Sequence, residues 1–219
     1  MTETKQKPSE IKHIAETKQK SSKIKLFNTW STENIKVSDP GLVNYINLSP
    51  VIVPKSGGRH AKNQFHKSKL NITERLINKM FVAGHRGKKH KFSSGHNVGT
   101  TTKTTKILIE AFNIIEEKTE KNPVEVLIRA IENSAPLEEV LTYQRGGIFA
   151  RESVVTAPQR RVDLALKHIA QGSYQRTVKK KKSAAQGLSN EILSAYKSDP
   201  ASFAIQEKTR RDKEATGAR

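Results

Sequence analysis

The stretch Asn122-Pro-Val-Glu-Val-Leu-Ile-Arg-Ala-Ile-Glu-Asn-Ser-Ala-Pro136 carries the clearest structural signal in this 219-residue chain. Asn122 is a favoured N-cap residue, and the proline after it suits the first turn of a helix. The spacing i, i+3, i+4, i+7 places four apolar residues on one helical face. They are Val124, Leu127, Ile128 and Ile131. The segment therefore predicts an amphipathic helix that ends at Asn133-Ser-Ala-Pro136.

Two helices are predicted before this stretch. The first begins at Asn71, where Glu74 three residues later indicates a capping box, and it ends at Gly84. The second spans residues 102–119, with apolar residues on one face and several glutamates on the other.

Three more helices are predicted after it. One starts at a capping box in Thr156-Ala-Pro-Gln159, buries Val162, Ala165, Leu166 and Ile169, and stops at Gly172. Another spans about 183–197, and a polar sixth runs from Pro200 towards Arg211.

A β-hairpin is predicted between the third and fourth helices. Residues 139–145 and 148–156 are rich in β-branched and aromatic residues and flank Gly146-Gly147, a two-residue turn signal. Because an isolated hairpin is marginally stable in water, we expect an arm, at about 139–156, that projects from the helices and is held by a partner.

The predicted fold class is therefore mainly α, a single helical domain of about six helices with a protruding two-stranded arm. Residues 1–23, polar and charged, are expected to be a flexible tail, disordered or extended. Residues 24–70 contain aromatic residues and prolines, and they are expected to form an extended segment that contacts a partner. Residues 71–219 form the helical domain.

Positive charge is concentrated in two blocks of the sequence. Forty Lys and Arg residues against 21 Asp and Glu residues give a net charge of +19. Residues 55–106 carry +12 and residues 144–182 carry +8, whereas residues 107–143 between them carry −5. Such an excess destabilises a compact chain by self-repulsion unless a polyanion neutralises it. A nucleic acid is therefore the first partner to consider.

Several other classes of function are disfavoured. The chain has no cysteine, which excludes disulfides, thiolate nucleophiles and Cys-ligated metals, and no apolar run long enough to predict a membrane span. The loop after Gly84 fails the phosphate-loop pattern, since Val82 stands at its first glycine position. His85, His90 and His96 lie among cations without a nearby carboxylate, so we predict no metal site. No catalytic set, cofactor or small-molecule substrate is indicated.

Three classes of protein could explain the positive charge. A structural RNA-binding protein leads, because the basic residues lie in glycine-rich loops that can follow a phosphate backbone. An RNA-processing enzyme would need residues distant in sequence to converge, and a DNA-compacting protein would use the same cations. Preference for folded RNA over duplex DNA distinguishes these alternatives.

Four motifs, in this order, resemble the universal small-subunit ribosomal protein seven family. They are the quoted stretch 122–136, the Gly146-Gly147 arm, Ala157-Pro-Gln-Arg-Arg-Val-Asp-Leu-Ala165 and Leu188-Ser-Asn-Glu-Ile-Leu193. The Trp30 segment and Pro54-Lys-Ser-Gly-Gly-Arg-His60 resemble the archaeal and eukaryotic branch of that family. The resemblance runs from about residue 24 to residue 219.

The resemblance implies a structural constituent of the cytoplasmic small ribosomal subunit, not an enzyme. It implies direct binding to the 3′ domain of small-subunit rRNA, nucleation of head assembly, and neighbouring head and platform proteins as partners. The rRNA-binding residues would be Lys55, Arg59, His60, Lys62, Lys67, Lys69, Arg75, Arg86, Lys88, Lys89, Lys91, Arg160, Arg161, Arg176, Lys179, Lys180, Lys181 and Lys182. The arm, near exit-site tRNA and mRNA, would comprise Tyr143, Gln144, Arg145, Gly146, Gly147, Ile148, Phe149 and Arg151.

Overall fold

A computed structural model describes residues 24–83, 99–178 and 180–219. This part of the chain contains six α-helices and one antiparallel hairpin, which confirms the predicted fold class. The helices are α1 Ile72–Met80, α2 Thr101–Thr119, α3 Pro123–Ser134, α4 Pro158–Thr177, α5 Ala184–Tyr196 and α6 Phe203–Thr216. The strands are β1 Glu138–Arg145 and β2 Ile148–Val155. The tail predicted over 1–23 lies outside the described residues.

The helices share one hydrophobic core. The predicted inner faces of α3 and α4 are fully buried, and Phe112 of α2 and Ile192 of α5 are buried with them. Burying an aliphatic or aromatic side chain of this size contributes roughly 1.5–3 kcal/mol, so this core is the main source of stability. None of the described helices is both long and apolar enough to cross a lipid bilayer.

Residues 24–70 are irregular, with three short 3₁₀ turns, yet they are anchored to the helices. The side chains of Leu26, Trp30 and Leu42 are buried in the common core. The Trp30 ring meets the Phe112 ring edge-on with centroids 5.3 Å apart, and its Nε1 donates to Glu116 Oε2 at 2.8 Å. Because its anchors are buried, this segment holds its basic loops in fixed positions against the helical domain.

The predicted end of α4 at Gly172 is wrong, since the helix continues to Thr177. A Cβ at Gly172 would lie 2.5 Å from Oε1 of Glu191, and a Cβ at Gly187 would lie 2.8 Å from the Ser173 carbonyl oxygen. The two glycines therefore let α4 and α5 approach closely. Glycine at position 172 serves packing and does not terminate the helix.

Two predicted capping boxes are also wrong. Asn71 does cap α1, accepting from the Thr73 amide, but Glu74 accepts instead from the amide and hydroxyl of Ser56, at 2.7 and 2.6 Å. Helix α4 begins after Ala157 without a side-chain cap. The Thr156 amide donates to Leu137 O, so Thr156 closes the base of the hairpin and the helix starts at Pro158.

The hairpin itself has the predicted two-residue turn. Arg145 pairs with Ile148, and both glycines between them have positive φ angles, 56° and 86°. Positive φ at both central positions is the geometry that suits the twist of paired strands, and glycine adopts it without steric cost.

The base of the arm is held by this chain's own helices, and the contact of the arm with a partner stays a prediction. Glu139 accepts from Arg160 of α4 and from Arg211 of α6, both at 2.7 Å. Glu138 pairs with Arg219, and Leu137 N donates to Asp212. These contacts all lie at the base, so the turn end of the hairpin extends away from them.

Gly187→Ala tests the close approach of α4 and α5. Overpacking costs about 1–3 kcal/mol, and we take the upper end because the contact is with a backbone carbonyl. The helix propensity of alanine returns roughly 1 kcal/mol, so we expect a net loss of about 2 kcal/mol. Urea unfolding followed by far-ultraviolet circular dichroism measures it. Gly217→Ala is the matched control, because a Cβ there meets no atom closer than 3.7 Å. Equal midpoints for both variants would contradict the packing role.

Candidate nucleic-acid interface

The two basic blocks of the sequence meet at one cavity of about 550 Å³. Lys67 and Lys79 reach it from the first block, and Arg160 and Lys167 reach it from the second. Asp163 of α4 is the one carboxylate among the lining residues. The fold thus brings together cations that are about 80 to 100 positions apart along the chain. The cavity that they surround is large enough to hold a small molecule.

Asp163 orients the side chains at this cavity. It pairs with Lys67, and its Oδ1 accepts from Arg75 Nη2 at 3.2 Å. Burial acts to raise the pKa of Asp163, but the hydrogen bond from Lys67 and the charges of Lys79 and Arg75 outweigh it and hold that pKa below its ordinary value. Asp163 is therefore ionised at neutral pH. The arginines next to it in the sequence, Arg160 and Arg161, do not pair with Asp163 but with Glu139 and Asp39.

Sequence reasoning missed several residues of this cavity. Phe65 lies at its edge with 67% of its surface exposed, and Gln159 lines it while remaining buried. Lys79 and Lys167 also line it, and burial lowers the pKa of Lys79. A helical lysine on an amphipathic segment looks like part of a solvated face, so only the packing of α1 against α4 identifies these two. The one sequence feature that could have indicated this cavity is Phe65, an aromatic residue among the basic residues of 59–69.

A second group of predicted residues lies on the loop that precedes α1. The hydrogen bonds from Ser56 to Glu74 fix this loop on α1, and Gly57 and Gly58 turn it with φ angles of 65° and 82°. Lys55, Arg59 and Lys62 are exposed there, as is Lys69 further on, while His60 is partly exposed. These side chains present positive charge on an anchored backbone.

Three of the predicted rRNA-binding arginines form hydrogen bonds within the protein. Arg75 is 4% exposed and donates to Tyr45 O at 2.7 Å as well as to Asp163. Arg161 is buried and donates to Pro136 O and Asp39, and Arg176 donates to Glu191, Ser194 and Ala201 O. Their guanidinium groups join elements of the protein, so each has a structural role, and its contact with rRNA stays a prediction.

The remaining basic residues divide into two groups. Lys180, Lys181 and Lys182 are exposed in the turn between α4 and α5, and Arg160 is exposed although Glu139 pairs with it. Arg86, Lys88, Lys89, Lys91 and Lys179 lie outside the described residues.

The turn end of the hairpin presents apolar side chains to solvent. Ile148 is 75% exposed and Phe149 is 72% exposed, with Tyr143 at 40% beside them. Gln144, Gly146, Gly147 and Arg151 are also exposed. Exposed apolar residues grouped on a projecting element are typical of a surface that contacts a partner.

The described residues hold no group of three or more His, Asp or Glu side chains arranged to bind a metal ion. The histidines considered as ligands, His85, His90 and His96, lie outside those residues.

Comparison with known proteins identifies the family of this chain. The family described as ribosomal protein S7p/S5e matches residues 42–219. The small ribosomal subunit protein uS7 of Nanoarchaeum equitans is 45% identical over 196 residues, which are 90% of this chain and 99% of the relative. Those of Methanococcoides burtonii and Methanococcus aeolicus are 42% and 44% identical, covering 89% and 90% of this chain and 99% of each relative.

These matches, with the helical domain and its arm, define a structural ribosomal protein. The chain belongs to the ribosomal protein S7p/S5e family. Members of the family are structural parts of the cytoplasmic small ribosomal subunit and are not enzymes. The predicted resemblance to the archaeal and eukaryotic branch is confirmed by the archaeal relatives.

Arg75→Met is expected to destabilise the protein by about 1–3 kcal/mol, because it removes the hydrogen bonds to Tyr45 O and Asp163 while Lys67 still pairs with Asp163. Arg59→Met is the control, since Arg59 is exposed and should change stability by less than about 0.5 kcal/mol. Urea midpoints of the free protein measure both effects. An Arg75→Met midpoint equal to that of the parent protein would refute the structural role of this arginine.

Proposed function

We propose that this chain binds the 3′ domain of small-subunit rRNA directly and nucleates assembly of the head of the subunit. The observation that carries the proposal is the meeting of the two basic blocks at the cavity between residues 64–67, α1 and α4. Two charge blocks that were separate in the sequence become one continuous site for a polyanion. Neighbouring head and platform proteins would complete its surroundings.

The exposed cations of the segment before α1 support the proposal. Lys55, Arg59, Lys62 and Lys69 lie on a segment whose backbone is anchored to α1 and to the core. Cations held on a fixed backbone suit contacts with phosphates, and such contacts release counterions and set register. Family membership favours rRNA over DNA as the polyanion.

We further propose that the arm approaches exit-site tRNA and the mRNA exit path. The clamped base and the exposed Ile148 and Phe149 support this, since a fixed base gives the turn end a defined direction. The arm would then contribute little to rRNA binding, because its exposed residues near the turn are mostly apolar or uncharged.

The first experiment measures affinity for a transcript of the 3′ domain of small-subunit rRNA at near-physiological salt. Unrelated structured RNA and duplex DNA are the competitors. We expect the cognate transcript to bind at least 10³-fold more tightly, the lower end of the gap between specific and non-specific nucleic-acid binding. Equal competition by all three polyanions would refute the proposed function, since the charge would then act without selectivity.

A second experiment shortens the arm. Replacing residues 144–149 with Asn-Gly keeps the pairing of Tyr143 with Ala150 and restores a two-residue turn. We expect rRNA affinity within about two-fold of the parent protein, because the base contacts and the cavity are unchanged. Subunits assembled with this variant should retain deacylated tRNA at the exit site differently from parent subunits. A large loss of rRNA affinity would contradict the separate roles of arm and cavity.

A further inference from the structure

We propose that the cavity bounded by Phe65, Lys79, Gln159 and Lys167 is a pocket for a single unpaired RNA nucleotide, with the base stacked on Phe65. This inference rests on the proposed rRNA binding and specifies how one part of the interface works. Lys67 and Arg160 complete the walls of the same cavity.

Phe65 provides the first argument. Phenylalanine is usually buried, yet this ring lines the cavity while two thirds of the residue is exposed. Its φ angle is 63°, in the left-handed region that bulky residues rarely adopt. The backbone thus holds an aromatic face at the edge of an open site. Unpaired bases bind to such faces by stacking, whatever their sequence.

The charges of the cavity provide the second argument. Lys79 and Lys167 form no ion pair with another described residue, whereas Lys67 is paired with Asp163 and Arg160 with Glu139. Lys167 is therefore available beside the exposed ring, and Lys79, which interacts with Asp163 only through its charge, makes no direct ion pair there. A nucleotide brings one phosphate for each base, so it supplies the anion and the stacking partner together.

Gln159 provides the third argument. It is 8% exposed, lines the cavity, and its Nε2 has no hydrogen-bond partner within the described ranges. A buried amide group without a partner carries a free-energy cost, which a ligand with an acceptor removes. Bases present carbonyl and ring-nitrogen acceptors at their edges. The same site therefore offers a stacking face, cations and an amide donor.

A short protein segment is the main alternative occupant. An acidic peptide with an aromatic residue would also satisfy the ring and the lysines. The nucleotide is favoured because Phe65 and Lys67 of the cavity belong to the segment 55–69, which also carries the exposed Lys55, Arg59, Lys62 and Lys69. A polyanionic chain is complementary to such a basic segment, whereas a peptide would have to be acidic along its length.

The test compares Phe65→Ala with Phe149→Ala, a matched control at another exposed phenylalanine on the arm. Affinity for the 3′-domain transcript should fall roughly 5- to 150-fold for Phe65→Ala, the range that alanine substitution gives for base stacking. Phe149→Ala should bind like the parent protein. The dependence of affinity on salt should not change for Phe65→Ala, because the ring carries no charge.

Two further variants provide independent readouts. Phe65→Trp should keep the affinity of the parent protein, and its exposed indole should be quenched by the transcript, while the buried Trp30 remains a constant background. Lys79→Gln should weaken binding and reduce the salt slope by roughly 0.7–0.9, the value for one phosphate contact.

The outcomes separate the two proposals. If the parent protein shows no preference for the transcript, the proposed function fails and the nucleotide pocket fails with it. If the parent protein prefers the transcript, but Phe65→Ala binds equally well and the Phe65→Trp indole is not quenched, only the nucleotide pocket is overturned. Quenching by adenosine monophosphate with unchanged transcript affinity of Phe65→Ala would also overturn it, since the pocket would then bind free nucleotides.

Discussion

The ion pairs of Asp163 hold together the parts of the protein that make the interface. This carboxylate on α4 binds Arg75 on α1 and Lys67 on the segment that precedes it. Arg75 in turn donates to the backbone of Tyr45, so the irregular N-terminal segment is fixed through the same group. Without the carboxylate, Arg75 would be a buried charge without its counterion, which is strongly destabilising. Asp163 therefore determines the position of the basic loop, the shape of the cavity and the packing of α1 on α4.

The acidic residues of this basic protein act mainly as internal connections. Only 21 carboxylates face 40 cations, and several of them join elements that are far apart in sequence. Glu132 accepts from the backbone of Ser38 and Asp39, and Glu139 links the hairpin to two helices. Glu191, fully buried, accepts from Ser202 and Arg176. Because these carboxylates are already occupied, most of the remaining exposed cations stay available for phosphates, and binding a polyanion relieves the repulsion among them.

The helices and the hairpin could be predicted because their signals are local. Asn122 with Pro123, the apolar spacing of α3 and the Gly146-Gly147 turn depend on residues a few positions apart. Contacts that depend on distant neighbours could not be predicted from the sequence. Gly172 looks like a helix stop until α5 is packed on it, and the carboxylate partners of Arg75 and Arg161 are 88 and 122 positions away. The cavity was missed for the same reason, since Phe65 and Lys167 meet only in the folded chain.

The long sequence separation of these ion pairs also governs the order in which the protein folds. Lys67 and Asp163 are 96 positions apart, and Asp39 and Arg161 are 122 apart. Contacts between residues so far apart in the sequence form late, because closing a long loop costs conformational entropy. The N-terminal segment is synthesised before α4, so Lys67 and Asp39 remain without their partners Asp163 and Arg161 until α4 has been made.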